Sequence, residues 1–203
     1  MTASLPAFTR TLRHFVEIAL PEAAAYEKAE LDLSSAYLQH RDLSLCSRQA
    51  VDARRIAGNL AVAIDGLADR AALDLGGSTT RAQAIQLVSP SVTFGPGGLD
   101  RPDCLKRITG TAVVRRHAIA KDPKVLIKSE DDVLAVGLGY GLDAYGVGKD
   151  GGPEVLVQDA AGQKWKFLGD AYCALSGWAQ FLSSRGVPLN VHLPEAVLGR
   201  PLL

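Results

Sequence analysis

The chain has 203 residues, of which 47% are hydrophobic and 22% are charged, a composition typical of a folded soluble protein and unlike that of a disordered one. Its 22 lysine and arginine residues balance 22 aspartate and glutamate residues, which excludes a strong overall field for holding a polyanion. The chain is long enough to bury a sizeable core without disulfide bonds.

The cysteines and the N-terminus indicate the compartment. Cys46, Cys104 and Cys173 lack the close spacing of zinc or redox motifs, so we interpret them as buried thiols of a protein in the reducing cytoplasm. The first residues do not combine a basic region with an apolar one, and no apolar run approaches the roughly 20 residues that span a bilayer. We therefore expect a cytoplasmic protein without membrane contact.

Apolar residues at three- and four-residue spacing predict helices in the N-terminal part of the chain. The first helix is expected at about 5–39, with Pro21 either kinking it or starting a second helix. Another helix, roughly two dozen residues long, is expected after Ser44 or Ser47 and carries a stripe of small apolar residues. We interpret its charged residues, which include Arg54 and Arg55, as a solvated face.

The next segment is irregular. Residues 76–80 interrupt the helical pattern, and residues 81–88 fit either a short helix or a strand. Residues 94–102 contain three glycines and two prolines, which predicts a loop. No Gly-Lys-Ser or Gly-Lys-Thr sequence opens a helix after it, so this loop is not expected to bind phosphate.

A further helix and then strands are expected in the C-terminal part. Asp103 is predicted to cap a helix that continues to Pro123. Residues 136–142 alternate large apolar residues with glycines, which predicts a strand whose glycine face another backbone or an aromatic ring can approach. Strands at 154–158 and 164–167 then complete a three-stranded antiparallel meander over about 133–168.

The last helix and the tail follow the meander. Asp170 is predicted to cap a helix that ends at Gly186 and either covers the sheet or closes the bundle. The tail from Val187 onward contains three prolines, which predicts an extended peptide, either docked on the surface or disordered.

This order of elements predicts the fold class α+β, with an N-terminal helical bundle, a C-terminal three-stranded antiparallel meander and a closing helix. Helices precede strands instead of alternating with them, which disfavours a doubly wound parallel sheet. We assign the bundle to residues 1–128 and the meander, closing helix and tail to residues 129–203, packed together as one domain.

The end of the helix after Asp103 is where arginine, histidine, lysine and aspartate converge in the sequence. On a helix, His117 and Lys121 share a face because they are four residues apart. Arginine can grip a phosphate in bidentate fashion, and histidine can exchange a proton near neutral pH, as metal-free RNA cleavage requires. Candidate catalytic residues are thus Arg116, His117 and Lys121, and candidate binding residues are Arg115 and Lys124.

In this helical setting, Arg116-His117 resembles the opening of the signature of the HEPN superfamily, in which arginine precedes a polar residue and, a few positions on, a histidine. Lys121 stands where that family has the closing histidine, and the next histidine is His192. The resemblance covers about residues 5–125. It implies either an RNA-cleaving toxin or defence nuclease, or a relative that has lost the active site and serves as a binding or scaffold module.

We therefore expect a non-catalytic HEPN-like binding or interaction module of a bacterial defence or toxin–antitoxin system, with RNA or another protein as its partner. One alternative is a metal-independent endoribonuclease that uses Arg116 and His117, aided by Lys121 and by a second copy in a homodimer. The other is a structural or assembly subunit. Neither a cofactor nor a metal is expected, because the remaining histidines have no partner at metal-ligand spacing.

Overall fold

The structure is a computed structural model and describes residues 8–94, 99–136, 149 and 152–189. The helices are α1 (Thr9–His14), a π-helical segment (Phe15–Ala19), α2 (Leu20–His40), α3 (Ser47–Leu75), α4 (Arg81–Val88), α5 (Cys104–His117) and α6 (Phe167–Ser184). The strands are β1 (Thr93–Phe94), β2 (Leu99–Asp100), β3 (Val133–Val136), β4 (Glu154–Gln158) and β5 (Lys164–Lys166). Short 3-10 turns lie at Leu43–Cys46, Ser89–Ser91 and Glu130–Asp132.

Helical structure is continuous from Thr9 to His40. The π-helical segment Phe15–Ala19 comes directly before Leu20 and Pro21, where the proline has no N–H to donate to the preceding turn. The widened turn therefore accommodates Pro21 within the helix, and no separate second helix starts there.

Helix α3 is 29 residues long and packs against α1, α2, α4 and α5. Its buried face combines Leu60, Ile64 and Leu67 with several alanines, whose small side chains let neighbouring helices approach closely. The prediction of a long helix with a stripe of small apolar residues is confirmed. Because these four helices and also α6 contact α3, its position determines how they are arranged.

In the region after α3, the structure decides between the two alternatives for residues 81–88 and shows that one prediction is wrong. Residues 81–88 form a helix, begun by a reciprocal capping box between Thr80 and Gln83. The segment 94–102, predicted to be all loop, instead contains part of a short antiparallel pair in which Thr93 faces Asp100 and Phe94 faces Leu99.

The meander is confirmed: β3, β4 and β5 form an antiparallel sheet in that order, with Val133 opposite Val157 and Leu156 opposite Lys166. Strand β4 is buried on both faces from Glu154 to Val157. The predicted glycine face of residues 136–142 lies outside the described residues except for Val136, the last residue of β3. The predicted tail is described only as far as residue 189.

Both aspartates that were predicted to cap helices have other roles. Asp103 precedes α5 with a φ of 59° and makes no side-chain cap, because its carboxylate pairs with Lys106 at 2.7 Å. Asp170 does not precede α6 but lies inside its first turn, since the helix begins at Phe167. Gly186 lies just after the end of α6, as predicted, and has a φ of 74°, which favours glycine.

The buried carboxylate of Asp170 binds two buried arginines. It accepts hydrogen bonds from Arg101 Nε and from Arg107 Nε and Nη2, each at 2.7 Å. The guanidinium carbon of Arg107 lies 3.9 Å from the centre of the Trp165 ring, which gives this cation a second favourable contact. These contacts join α5 to α6 and β5.

One hydrophobic core includes residues of the helices and of the meander, among them Tyr26, Leu60, Ile108, Val155 and Trp178. The predicted α+β class, with its N-terminal bundle, meander and closing helix, is confirmed. The three cysteines are buried and form no disulfide bond with one another, as the sequence predicts. Among the described residues, no helix is both long and apolar enough to cross a membrane.

A second buried charged cluster joins α2 to the meander. Glu30 accepts a hydrogen bond from the hydroxyl of Tyr26 and another from the backbone N–H of Val155, and it pairs with the ammonium group of Lys149 at 2.6 Å. Glu154, also buried, lies 3.2 Å from the ammonium group of Lys166. Burial raises the pKa of Glu154 from 4.5 to about 7, although the nearby lysines act in the opposite direction.

Replacing Asp170 by alanine is expected to lower the free energy of unfolding by about 3–5 kcal/mol, because two arginines then stay buried without their carboxylate. Urea unfolding followed by circular dichroism measures the change. Asp32→Ala is the control: it removes an exposed ion pair with Lys28 and should cost at most about 1 kcal/mol. Equal effects of the two substitutions would contradict the structural role of Asp170.

The raised pKa of Glu154 predicts a stability change with pH. The fold favours the neutral carboxyl group, so this contribution is complete below pH 4.5 and is lost as the pH rises through about 7. Relative to Glu154→Gln, the wild type should lose up to about 1.4 kcal/mol of unfolding free energy per pH unit in that window. Urea unfolding of both proteins between those pH values measures the difference, and a constant difference would refute the prediction.

Candidate functional site

Helix α5 ends at His117, so the predicted end at Pro123 is wrong. Ala118 takes a φ of 60°, and the following chain pairs with a later segment. The backbone N–H of Ala120 donates to the carbonyl of Lys128, and that of Glu130 donates to the carbonyl of Ala118. These bonds replace continued helical bonds, and His117 and Lys121 therefore do not share a helix face.

Arg116 is bound to a buried carboxylate on α3. Its Nη2 lies 2.6 Å from Asp65 Oδ2, and its Nε donates to the carbonyl of Ala112 at 3.1 Å. Asp65 also accepts a hydrogen bond from the hydroxyl of Thr109 at 2.8 Å and pairs with Arg81. The Arg116 side chain is 43% exposed and that of Asp65 only 2%, so the positive charge at this position has a fixed internal partner.

Arg115 crosses α3 at a glycine. A methyl group at Gly58 would lie 2.6 Å from the Arg115 Cδ atom, so the absence of a side chain there is what lets the arginine pass. The Arg115 guanidinium donates from Nε and Nη2 to the Asn59 side-chain oxygen at 3.2 and 3.1 Å. The neutral amide holds the guanidinium in place without neutralising its charge.

The remaining predicted site residues, His117, Lys121 and Lys124, are exposed. In the part of the chain that the structure describes, no side-chain hydrogen bond or ion pair joins any of the three to Arg115 or Arg116. The side chains of Arg115 and Arg116 are thus held by residues of α3, whereas His117, Lys121 and Lys124 make no such contact with them.

A cavity of about 230 Å³ lies between α3, α5 and the start of β3, and we call it the arginine cleft. It is lined by Val51, Arg54, Arg55, Gly58, Thr111, Val114, Arg115, Glu130 and Val133. The sequence predicted Arg115 as a binding residue, but Arg54 and Arg55 were interpreted as part of a solvated face. The signal that could have indicated their role is the glycine within α3, which marks a close approach by another segment.

Of the three arginines that line the arginine cleft, Arg54 and Arg115 are bound to neutral oxygens, and Arg55 pairs with a carboxylate. Arg54 donates to the backbone carbonyl of Glu130 at 3.3 Å, and Arg55 pairs with the exposed carboxylate of Asp52 at 3.5 Å. Arg115 is bound to an amide oxygen. Of the described residues that line the arginine cleft, Glu130 is the one that carries a carboxylate. An anionic group of a ligand could therefore complete the charge balance here.

A second cavity, which we call the apolar groove, adjoins the arginine cleft. It has a volume of about 300 Å³ and is lined by Leu43, Ser44, Ser47, Ala50, Val51, Arg54 and Ala135. Val51 and Arg54 line both cavities, so the two are adjacent.

Comparisons with protein-family models, with curated proteins and with solved structures find no match for this chain. The resemblance to HEPN proteins stays a prediction from sequence. Within the described ranges, no three histidine, cysteine, aspartate or glutamate side chains are grouped so that they could hold a metal ion. The candidate site is therefore defined by its own geometry.

The substitution Asp65→Ala is expected to lower the free energy of unfolding by about 1–3 kcal/mol. The loss is smaller than for Asp170→Ala because Arg81 and Arg116 are partly exposed, so water can solvate their charges when the carboxylate is removed. Urea unfolding gives the value. Asp69→Ala, which removes a half-exposed partner of Arg81 on the same helix, should change it by at most about 1 kcal/mol. A larger loss in Asp69→Ala than in Asp65→Ala would contradict the assignment.

Proposed function

We propose that this chain is a non-catalytic binding module that holds an anionic group of its ligand in the arginine cleft. The observation that carries the proposal is the convergence of Arg54, Arg55 and Arg115, from two helices, on one cavity with a single described carboxylate. The packing of α3 against α5 brings Arg115 close to Arg54 and Arg55, although Arg115 is distant from them in the sequence.

Guanidinium groups suit this role for two reasons. They stay charged at every physiological pH, and their planar arrangement of donors matches the oxygens of a carboxylate or phosphate. The valine side chains that line the same cavity lower the local dielectric constant, which strengthens each charged hydrogen bond. Asn59 holds Arg115 in place before a ligand arrives, so less side-chain entropy is lost on binding.

The surroundings of Arg116 and His117 favour binding over cleavage. RNA cleavage without a metal needs a base and a cation placed together on one phosphate. Arg116 is engaged by Asp65, and no described contact links it to His117 or Lys121. A role in a bacterial defence or toxin–antitoxin system is supported by the HEPN-like resemblance alone, and a cytoplasmic location by the three buried thiols, which form no disulfide bond with one another.

Small anions should stabilise the protein through the arginine cleft. Citrate or pyrophosphate at about ten times its dissociation constant adds roughly 1.4 kcal/mol of stability, an increase of about 3 °C in the melting temperature. The combined variant Arg54→Gln and Arg115→Gln should lose this increase, because it removes two of the three guanidinium groups. Lys106→Gln, an exposed cation elsewhere on α5, is the matched control and should keep it.

Two results would contradict the proposal. One is equal stabilisation of the wild type and the double arginine variant by both anions. The other is cleavage of a labelled single-stranded RNA without added metal that disappears in both Arg116→Ala and His117→Ala, since this would favour the endoribonuclease. Gly58→Ala offers a variant without charge change: its methyl group would displace Arg115 and should weaken anion binding.

A further inference from the structure

The arginine cleft and the apolar groove lie side by side along α3. Val51 and Arg54, one turn apart on α3, line both cavities. A ligand that reaches from one cavity to the other therefore meets guanidinium groups at one end and the side chains of Leu43, Ala50 and Ala135 at the other. A ligand that fills both must be anionic in one part and apolar in the next.

One exposed apolar side chain lies at this surface, and another lies in the 3-10 turn beside it. Val51 is 60% exposed where the two cavities meet, and Leu45, in the 3-10 turn that also contains Leu43 and Ser44 of the apolar groove, is 63% exposed. Covering such surface stabilises a complex by roughly 25 cal/mol per Å² before the entropic cost of association. Grouped exposed apolar residues with a charged rim are typical of protein interaction sites.

The charges around the arginine cleft disfavour a nucleic acid. Glu130 lines the cavity, and Asp131, the next residue of the same 3-10 turn, is exposed, so a chain of phosphates would pass close to carboxylates. Proteins that bind single-stranded RNA combine a continuous basic groove with aromatic rings for base stacking. Both cavities lack an aromatic side chain among their described lining residues. One carboxylate beside an apolar side chain fits this surface better than a polyphosphate backbone.

We infer that the occupant is a peptide segment of a partner protein, in which an aspartate or glutamate enters the arginine cleft and a neighbouring apolar side chain lies in the apolar groove. The inference rests on the proposed function and specifies its ligand. The acidic side chain binds the guanidinium groups of Arg54, Arg55 and Arg115, and the apolar side chain covers Val51.

Selection of short random peptides displayed on phage, with the purified chain as bait, tests this inference. The enriched sequences should place aspartate or glutamate within a few positions of leucine, isoleucine, valine or phenylalanine. A labelled synthetic peptide of this type should bind at least about tenfold more weakly to Arg115→Gln or Val51→Asp than to the wild type, as measured by fluorescence anisotropy. Changing the acidic residue of the peptide to its amide should cause a similar loss, and Lys106→Gln should bind as the wild type does.

The outcomes separate this inference from the proposed function. Enrichment of peptides without acidic residues, or binding unaffected by the arginine, valine and peptide changes, would overturn the inference. If a labelled single-stranded RNA binds in an Arg115-dependent manner and no acidic peptide does, the occupant is RNA, so the inference fails and the proposed function stands. If neither peptides nor citrate and pyrophosphate bind, both fail. Should Arg115→Gln not fold, the peptide change to the amide still decides the result.

Discussion

The rest of the structure depends on the interaction of the buried Asp170 carboxylate with two arginines. The carboxylate places one negative charge between the two buried cations Arg101 and Arg107. Because Arg107 belongs to α5 and Asp170 to α6, their ion pair fixes the closing helix against the bundle. Trp165 lies against the same guanidinium and brings strand β5 into this arrangement.

Helix α5 is held from two sides by carboxylates of other helices. Asp170 binds Arg107 near the start of the helix, and Asp65 of α3 binds Thr109 and Arg116 further along. Glycine at position 58 then allows Arg115 to lie across α3. These contacts determine the spacing of α3 and α5, and the arginine cleft exists because of that spacing. The shape of the arginine cleft thus depends on the contacts between α3 and α5.

The two neighbouring arginines at the end of α5, Arg115 and Arg116, have partners of different charge. Arg116 has a buried carboxylate as its partner, so its charge is paired within the fold. Arg115 has a neutral amide and lines a cavity with Arg54 and Arg55. Adjacent residues of the same type therefore differ in role: Arg116 is paired with a carboxylate within the fold, whereas Arg115 belongs to the binding site that we propose.

Periodicity determined the class of the fold, the long helix α3, the antiparallel meander and the closing helix, because apolar spacing reports directly which faces are buried. Sequence also identified the segment that contains Arg115. It could not show that α5 ends at His117, since that end depends on backbone pairing between Ala118 and Glu130. Nor could it assign partners to Asp170, Asp65, Arg54 or Arg55, because charged groups acquire partners only when residues distant in sequence are packed together. The sequence therefore determined the elements, and the tertiary structure alone decided which charged side chains are paired with one another, because those pairs join residues that are distant in the sequence.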